Sequence, residues 1–226
     1  MSVSELTNTA QDYLKVIWTA TEWMPQPITV KQLAERMGVR AATVSDGIRR
    51  LAEQGMLHHE PYGSIELTDA GRAHAIAMVR RHRLIETFLV ETLGYGWDEV
   101  HDEAEILEHA VSDTLVDRID AALKHPSRDP HGDPIPTADG DPRRPDAVQL
   151  SNADARAALI VARISDADPA VLRYLADKGI QLDTRLIVTE HRPYAGDVTI
   201  QVDGDAESVE LGALASAAVW VSARPA

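Results

Sequence analysis

Residues 29–55 read TVKQLAERMGVRAATVSDGIRRLAEQG, two short amphipathic segments joined by a tight turn. Thr29 is a residue type that caps helix N-termini, and Gly38 is one that ends helices in a left-handed conformation. In the second segment, Val44 and Leu51 fall on one face at helical spacing. The stretch therefore predicts two short helices, each with one apolar face, that pack together through the turn.

The flanking segments complete the pattern of a winged helix-turn-helix. Residues 5–23 predict a preceding helix, which ends where two prolines occur in MPQPI (24–28). MLHHE (56–60) and SIELT (64–68) are strand-like runs around Pro61-Tyr62-Gly63, a sequence typical of a hairpin. In this motif the second helix lies in the major groove of DNA and presents its N-terminal residues to base edges.

The second predicted helix carries side chains that suit a DNA surface. Polar groups near its N-terminus can reach base edges, and two later arginines suit phosphates. The residues predicted to bind DNA are Arg40, Ala41, Thr43, Ser45, Asp46, Arg49 and Arg50. Asp46 is less expected there, because a carboxylate near phosphates is unfavourable unless it accepts from a cytosine amino group. Some winged helices bind protein, so a protein-binding role is the alternative.

Composition and charge limit the function classes. The chain has 226 residues, no cysteine and a net charge of −14. Because the chain has no cysteine, it cannot form disulfides or thiolate zinc sites, and it cannot use a catalytic thiol. We expect a cytoplasmic protein with no membrane partner, because no signal peptide or long apolar run is visible. The acidic excess lies in residues 82–140, which hold 14 acidic and 4 basic side chains. Such a block either repels itself in solvent or is neutralised by cations.

The remainder of the chain predicts two long helices followed by a small β domain. Residues 69–94 and 98–124 form amphipathic runs, and the proline-rich residues 125–155 read as a loop or linker. Beyond it, four short strand-like runs surround one brief helix from Pro169 to Lys178. The sequence therefore predicts a mainly α protein with a small β-barrel-like domain at its C-terminal end.

HDEAEILEH, residues 101–109, concentrates side chains that can bind metals. At about 100° per residue, a helix would gather four of them within an arc of about 100°. These four are His101, Glu105, Glu108 and His109. His82 and Glu86 share a face of the preceding helix in the same way. Oxygen and imidazole ligands suit Mn²⁺, Fe²⁺ or Co²⁺, and also admit Zn²⁺, whereas a solvated acidic helix is the alternative.

The order of these elements resembles the diphtheria toxin repressor family of metal-dependent transcriptional repressors. The resemblance runs through residues 7–140 and is carried by the winged helix together with four motifs. These motifs are DYLKVIW (12–18), RRHRLIETFL (80–89), VHDEAEILEH (100–109) and PHGDPIP (130–136). The family implies a homodimer that binds palindromic double-stranded operator DNA when its metal sites are filled, and that controls metal-uptake genes.

The resemblance also implies a domain organisation. It assigns a winged helix-turn-helix DNA-binding domain to residues 1–74 and a helical metal-binding and dimerisation domain to residues 75–140. A linker would follow over residues 141–155. Residues 156–226 resemble the SH3-like (FeoA-type) β-barrel domain of the longer family members.

The family's metal ligands transfer onto matching positions of this sequence. The primary site falls on Asp12, Glu105, Glu108 and His109. The ancillary site falls on His82, Glu86 and His101. In long members the third domain can add an acidic ligand to the ancillary site. The stretch SDADP offers Asp166 and Asp168, and ungapped alignment back from LADKGI favours Asp168.

The acids at two of these positions indicate the metal. Iron-responsive members have methionine in place of Asp12 and cysteine in place of Glu105, whereas manganese-responsive members have acids at both. Hard carboxylates favour Mn²⁺, with Fe²⁺ as the alternative and Co²⁺ or Zn²⁺ as substitutes in vitro. Some manganese members place another glutamate at the position of Lys15, so we expect two separate sites here rather than a two-metal cluster.

Other histidines and other functions are not favoured by the sequence. We expect surface or wing roles for His58, His59, His74, His125, His131 and His191, which lack a partner pattern. A metallohydrolase would need an open metal site and a positioned base, yet H-E-x-x-H is absent, so we expect neither an enzyme nor a small-molecule substrate. A winged-helix regulator that ignores metal is the remaining alternative.

Overall fold

The computed structural model describes residues 6–23, 27–59, 63–137, 144–192, 194 and 196–223. The chain packs as two compact units. Unit 1 consists of Met1–His82, Glu108–Val111 and Pro136–Pro142. Unit 2 consists of Arg83–Leu107, Ser112–Ile135 and Arg143–Ala226.

Three helices form the centre of unit 1. They are α1 (Asn8–Glu22), α2 (Val30–Met37) and α3 (Ala41–Glu53). Thr29 and Gln32 cap α2 reciprocally, each side chain bonding the other residue's backbone N–H. Gly38 ends α2 at a φ of 64°, which a side chain would disfavour. The reciprocal cap fixes the start of α2, and Gly38 fixes its end and the turn before α3, as the sequence predicts.

A short hairpin follows α3 and completes the winged helix. Strand β1 (Leu57–His59) pairs antiparallel with β2 (Ile65–Leu67), and Ile28 adds an isolated bridge to Ile65. Two residues of the predicted turn, Pro61 and Tyr62, lie outside the described ranges, as does Glu60 at the end of the first strand-like run. The core of unit 1 lies between the helices and the hairpin, where apolar side chains from each element are fully buried. They include Leu14, Ile17, Leu33, Ile48, Leu51 and Ile65.

The prediction of a single helix over residues 98–124 is wrong, because the structure has two helices there. After α4 (Asp69–Leu93), the chain forms α5 (Val100–Leu107) and α6 (Asp113–Ala122). Ser112 starts the second helix by accepting a hydrogen bond from the N–H of Leu115. The interruption places Glu108 and His109 in a turn, where Arg81 donates to the carbonyl oxygens of Glu108 and Val111.

The C-terminal part of unit 2 is a six-stranded sheet, antiparallel throughout. Its order is β3-β8-β4-β5-β6-β7. The strands are β3 (Val148–Gln149), β4 (Ala158–Ile164), β5 (Arg185–Arg192), β6 (Asp197–Val202), β7 (Ser208–Leu211) and β8 (Val219–Ala223). Helices α7 (Pro169–Asp177) and α8 (Ala213–Ala218) accompany them. The sheet begins inside the segment predicted as a linker over residues 141–155, because β3 pairs with β8.

Residues 132–134 of the proline-rich segment contact both α4 and β4. Gly132 adopts a φ of 91°, and a Cβ added to it would lie 2.2 Å from the carbonyl oxygen of Ala162 in β4. Arg83 of α4 donates to the carbonyl oxygen of Pro134 at 2.8 Å. Arg163 of β4 donates to Asp133 at 2.8 Å. Residues 132–134 therefore have a defined path beside α4 and β4.

No helix in the described part of the chain combines the length and the apolar character that crossing a bilayer requires.

Candidate metal centres

Unit 1 brings Asp12 of α1 together with Glu108 and His109 from the turn after α5. One ligand atom from each of the three lies within 4.8 Å of the other two. His109 Nε2 is 2.8 Å from Asp12 Oδ1 and 3.6 Å from Glu108 Oε1. Two carboxylates and one imidazole form a donor set that suits a borderline-hard divalent cation. Three of the four residues predicted for the primary site therefore meet in this unit.

Gln11 orients the His109 ring toward this group. Its amide nitrogen donates to the carbonyl oxygen of Leu6 at 3.0 Å, which leaves the amide oxygen 2.9 Å from His109 Nδ1. The Nδ1–H of His109 donates to that oxygen, so in the neutral ring Nε2, 2.8 Å from Asp12 Oδ1, is the nitrogen that can bind a metal. Ligating histidines are commonly oriented by such a bond from the second ring nitrogen. Reasoning from sequence missed Gln11, because the contact joins residues 98 positions apart.

Glu108 is fully buried, and cationic side chains contact both of its oxygens. Lys15 Nζ donates to Oε1 at 2.6 Å, and His82 Nδ1 lies 2.6 Å from Oε2. Burial raises the pKa of Glu108, but the hydrogen bond and charge of His82, with the charge of Lys15, lower it below its ordinary value. Glu108 is thus a buried anion that requires positive charge beside it.

The helix that carries Asp12 also contacts the predicted DNA-reading helix. A Cβ at Gly47 of α3 would lie 2.2 Å from Cε2 of Tyr13, whose ring is buried in the core. Only glycine permits so close an approach of the two helices at this point. A displacement of α1 therefore shifts the packing surface of α3 directly.

All seven residues predicted to bind DNA lie on the exposed side of α3 or at its N-cap, Arg40. Arg49 Nη2 is 3.2 Å from Asp46 Oδ1, so this exposed carboxylate is partly neutralised by its own helix. Ser45 donates to the carbonyl oxygen of Ala41 at 3.0 Å. The surface has the exposure that groove contacts require, and its role in DNA binding stays a prediction.

Unit 2 contains a second group of metal-capable side chains. Glu86 of α4 is buried, and its Oε1 lies 3.2 Å from His101 Nδ1. Asp166 Oδ2 lies 3.4 Å from the same nitrogen, and Glu105 Oε1 lies 3.6 Å from His101 Nε2. Burial opposes protonation of His101, but hydrogen bonds and charges from Asp166 and Glu86 raise its pKa to about 11.

The structure places the side chains of Asp166 and Asp168 differently, and the choice of ligand between them stays a prediction. Asp168 is the N-cap of α7, where its Oδ1 accepts from the N–H of Ala170 at 2.8 Å. Asp166 instead faces His101. A capping side chain must turn back toward its own helix, so the ungapped alignment selected the acid with a structural task.

The prediction that His131 lies at the surface is wrong. Its side chain is fully buried beside Glu86 and Asp166, and its ring stacks on Trp97 with centroids 6.1 Å apart. Burial lowers the pKa of His131, but the charges of Asp129, Glu86 and Asp166 raise it overall. His74 is also buried rather than exposed. The sequence feature that could have indicated a buried role for His131 is the motif PHGDPIP, in which it lies.

Two predicted assignments join residues from different units. The primary set includes Glu105, which belongs to unit 2, and the ancillary set includes His82, which belongs to unit 1. Within their own units, Glu105 contacts His101 and His82 contacts Glu108. Both assignments remain predictions.

Family models match three successive parts of the chain. The DNA-binding domain at the N-terminus of iron-dependent repressors matches residues 5–65. The metal-binding and dimerisation domain of the same repressors matches residues 68–137, and the FeoA domain matches residues 148–223.

Individual proteins match over nearly the whole chain. The iron-dependent repressor IdeR of Mycobacterium tuberculosis strain H37Rv is 34% identical over 221 residues, which cover 92% of this chain and 94% of IdeR. A manganese-dependent transcriptional repressor in complex with manganese is 57% identical, with a TM-score of 0.92 over 95% of this chain and all of that one. The manganese regulator SloR is 32% identical, with a TM-score of 0.81 over 97% of this chain and all of SloR.

Proposed function

The chain belongs to the diphtheria toxin repressor family of metal-dependent transcriptional repressors, and from this premise we propose that it is a Mn²⁺ sensor. In this proposal the chain binds a palindromic operator as a homodimer when its metal sites are filled, and represses genes for metal uptake. The domain boundaries at residues 74, 140 and 155, and a cytoplasmic location, belong to the same proposal. We propose no catalytic residue in this chain.

The observation that supports this function is the meeting of Asp12 with Glu108 and His109. Asp12 precedes Glu108 by 96 positions and His109 by 97, yet one ligand atom from each lies within 4.8 Å of the others. A bound dication would supply two positive charges to the carboxylates of Asp12 and Glu108. Lys15 and His82 each contact the carboxylate of Glu108, and His109 lies beside Asp12. The residues of the site therefore fit a divalent metal.

Asp12 links this site to the DNA-reading surface. It lies on α1, next to Tyr13, whose ring packs against Gly47 of α3. When Asp12 is held toward Glu108 and His109, α1 is fixed and α3 keeps its position within unit 1. Half-sites on DNA lie about 34–36 Å apart, so a small change in the position of a recognition helix loses base contacts.

The proposed homodimer agrees with exposed apolar side chains in unit 2. Leu93, Ile106 and Leu115 have exposed fractions of 58%, 68% and 44%. Exposed large apolar side chains on helices are a common feature of subunit interfaces. They lie on α4, α5 and α6, within the segment that the dimerisation model matches.

The proposed preference for Mn²⁺ over Fe²⁺ depends on hard ligands. Asp12 stands where iron-responsive members have methionine, and Glu105 where they have cysteine, as the family resemblance implies. Carboxylate oxygens suit Mn²⁺, whereas thiolate and thioether ligands favour softer metals. Fe²⁺ remains the second candidate, because relatives that share a third of the sequence are named iron-dependent repressors.

Lys15 supports a single metal ion at the primary site. Its ammonium group bonds Glu108 Oε1 at 2.6 Å, from a side chain that is almost fully buried. A lysine ammonium group offers no acceptor for a cation, whereas the glutamate that some manganese members have at this position, as the resemblance implies, does. The primary site is therefore proposed to hold one ion, separate from the ancillary site.

The test is operator binding measured across metals. An operator is first selected from random double-stranded DNA with Mn²⁺ present, and its affinity is then measured by fluorescence anisotropy. Free Mn²⁺, Fe²⁺, Co²⁺ and Zn²⁺ are each set by metal buffers, because affinity in vitro follows the Irving–Williams order and not availability. We expect operator binding to require metal and to respond to Mn²⁺ within its buffered physiological range. Binding that survives complete chelation would contradict the sensor and favour the metal-independent regulator.

A further inference from the structure

We propose that Asp46 selects a cytosine in each half of the operator, by accepting a hydrogen bond from the N4 amino group of that base in the major groove. The inference rests on the proposed function, since it names one base that the DNA-reading helix α3 would recognise. A carboxylate is unfavourable beside phosphates, so its place on this helix requires a physical reason. The position and the neighbours of Asp46 supply that reason.

Asp46 lies at the centre of the exposed face of α3. Val44, Ile48 and Leu51 form the buried face of this helix. At about 100° per residue, Asp46 is about 200° from Val44, so its side chain points almost directly away from the core. That side chain is 61% exposed. When α3 enters the major groove with its exposed face inward, Asp46 is directed at the base edges on the floor of the groove.

The residues around Asp46 allow this part of α3 to approach DNA closely. Ala41 and Ala42, which begin the helix, carry only methyl groups. Thr43 and Ser45 lie about 60° and 100° away from Asp46 around the helix axis, on opposite sides. Ser45 also donates its hydroxyl proton to the carbonyl oxygen of Ala41 at 3.0 Å. Asp46 is therefore the first polar side chain along the middle of the exposed face, where even a short carboxylate can reach a base.

Two arginines flank Asp46. Around the helix axis, Arg49 lies about 60° to one side of it and Arg50 about 40° to the other. Nη2 of Arg49 is 3.2 Å from Asp46 Oδ1, so part of the negative charge is balanced within the helix itself. This contact uses Oδ1 and leaves Oδ2 for a base. Phosphates at the sides of the groove would meet the arginines, whereas the base edges between them would meet the carboxylate.

A carboxylate distinguishes the four bases by their edges in the major groove. It can only accept hydrogen bonds, and the polar groups that guanine and thymine present there are also acceptors. Adenine offers an amino group, but the acceptor N7 beside it repels the second carboxylate oxygen. Cytosine offers its N4 amino group with no acceptor on the same edge. Asp46 therefore favours a cytosine at the position that it meets.

The experiment compares the operators that four forms of the full chain select from random double-stranded DNA with Mn²⁺ present. These forms are the wild type, Asp46→Ala, Asp46→Asn and the control Glu53→Gln. Glu53 is an exposed acid on the same face of α3, about 10 Å further from the N-terminal residues that contact base edges. The control therefore removes the same charge from the same face without removing the proposed contact.

The wild type should select cytosine at one position of each half-site. Asp46→Ala should lose that preference, and Asp46→Asn should admit adenine there, because an amide can accept from N6 and donate to N7. In fluorescence anisotropy, replacing the selected cytosine should lower the affinity of the wild type at least about fivefold and leave that of Asp46→Ala unchanged. Glu53→Gln should keep the base preferences of the wild type.

A modified base tests the hydrogen bond itself. N4-methylcytosine still pairs with guanine, but its methyl group replaces the amino hydrogen that faces the major groove. At the selected position it should weaken binding of the wild type about fivefold and leave binding of Asp46→Ala unchanged.

Two results would overturn the proposal and leave the sensor function intact. One is that Asp46→Ala selects the same base at every position as the wild type. The other is that the wild type binds equally well when N4-methylcytosine replaces each cytosine of its operator in turn. A wild-type chain that selects no DNA with any of the four metals would instead contradict the proposed function itself.

Discussion

The two groups of metal-capable side chains differ in what neutralises them before a metal arrives. In unit 1, the carboxylate of Glu108 is already bonded to Lys15 and contacts His82. In unit 2, the imidazole of His131 leaves one buried nitrogen without a partner among the described residues. The first group therefore has side-chain partners on its buried carboxylate, whereas the second has a buried imidazole nitrogen that forms no hydrogen bond with the described residues.

This difference suggests separate tasks. The unit 1 group contains Asp12, which lies next to the contact between Tyr13 and the DNA-reading helix. The unit 2 group contains Asp166, just beyond β4 of the C-terminal sheet, together with Glu86 of α4. We therefore expect changes in unit 1 to alter the metal response of DNA binding, and changes in unit 2 to alter metal affinity there with smaller effects on DNA.

The largest effect is expected from Glu108→Gln. The amide keeps the volume of the side chain but removes the buried negative charge that binds metal. The variant should lose the Mn²⁺-dependent gain in operator affinity, which for coupled sites is about 5- to 150-fold. Anisotropy titrations with and without Mn²⁺ give this ratio. Glu91→Gln, an exposed glutamate near the end of α4, is the control. An equal metal response in both variants would remove Glu108 from the sensor.

Lys15→Met tests whether the charge of the lysine stabilises the buried carboxylate of Glu108. Removing one partner of a buried ion pair leaves Glu108 with less compensation, so the metal-free chain should lose roughly 3 kcal/mol of unfolding free energy. Added Mn²⁺ should restore more stability to this variant than to the wild type, as measured by urea denaturation. Lys31→Met, which breaks an exposed pair with Glu35, should cost under about 1 kcal/mol. Equal losses in the two variants would contradict the role given to Lys15.

Gly47→Ala tests the contact between α1 and α3. The added methyl group collides with the Tyr13 ring, and overpacking of this kind costs about 1–3 kcal/mol. Part of that cost is offset by the better helix propensity of alanine. Operator affinity at saturating Mn²⁺ should fall, and Tyr13→Leu in the same chain should recover part of it. Full activity in the single variant would show that the close approach is not needed.

The smallest expected effect separates the two aspartates before α7. Asp168→Ala removes an N-cap and should lower the unfolding free energy by about 1 kcal/mol without changing metal affinity. Asp166→Ala should weaken one Co²⁺ equivalent about tenfold. Calorimetry on both variants makes the comparison. The reverse pattern would return the ligand assignment to Asp168.

The winged helix could be predicted from sequence because its signals are local. Thr29 caps α2 through a residue three positions away, and Gly38 ends the helix with its own backbone. The interruption between α5 and α6 could not be predicted in the same way. It is stabilised by Arg81, which donates to carbonyl groups 27 and 30 positions further along the chain.

The same distinction between local signals and distant contacts applies to the candidate metal sites. His82 and Glu86, or Glu105 and Glu108, could be proposed from helical spacing and from the family resemblance. His131 has no such spacing, and its burial results from Gly132 packing against β4 together with the carbonyl of Trp97. Side-chain direction also distinguishes Asp166 from Asp168. The contacts of His131, and of Asp166 with His101, join residues distant in sequence, whereas the capping bond of Asp168 is local.

The most direct test of the central claim, that metal and operator binding are coupled, is the Mn²⁺ affinity of the protein with and without operator DNA. Linkage requires that Mn²⁺ raise operator affinity by the same factor by which operator raises Mn²⁺ affinity. We expect the two factors, each measured in its own titration, to agree and to vanish together in Glu108→Gln. A Mn²⁺ affinity that is unchanged by saturating operator DNA would contradict metal sensing by this chain.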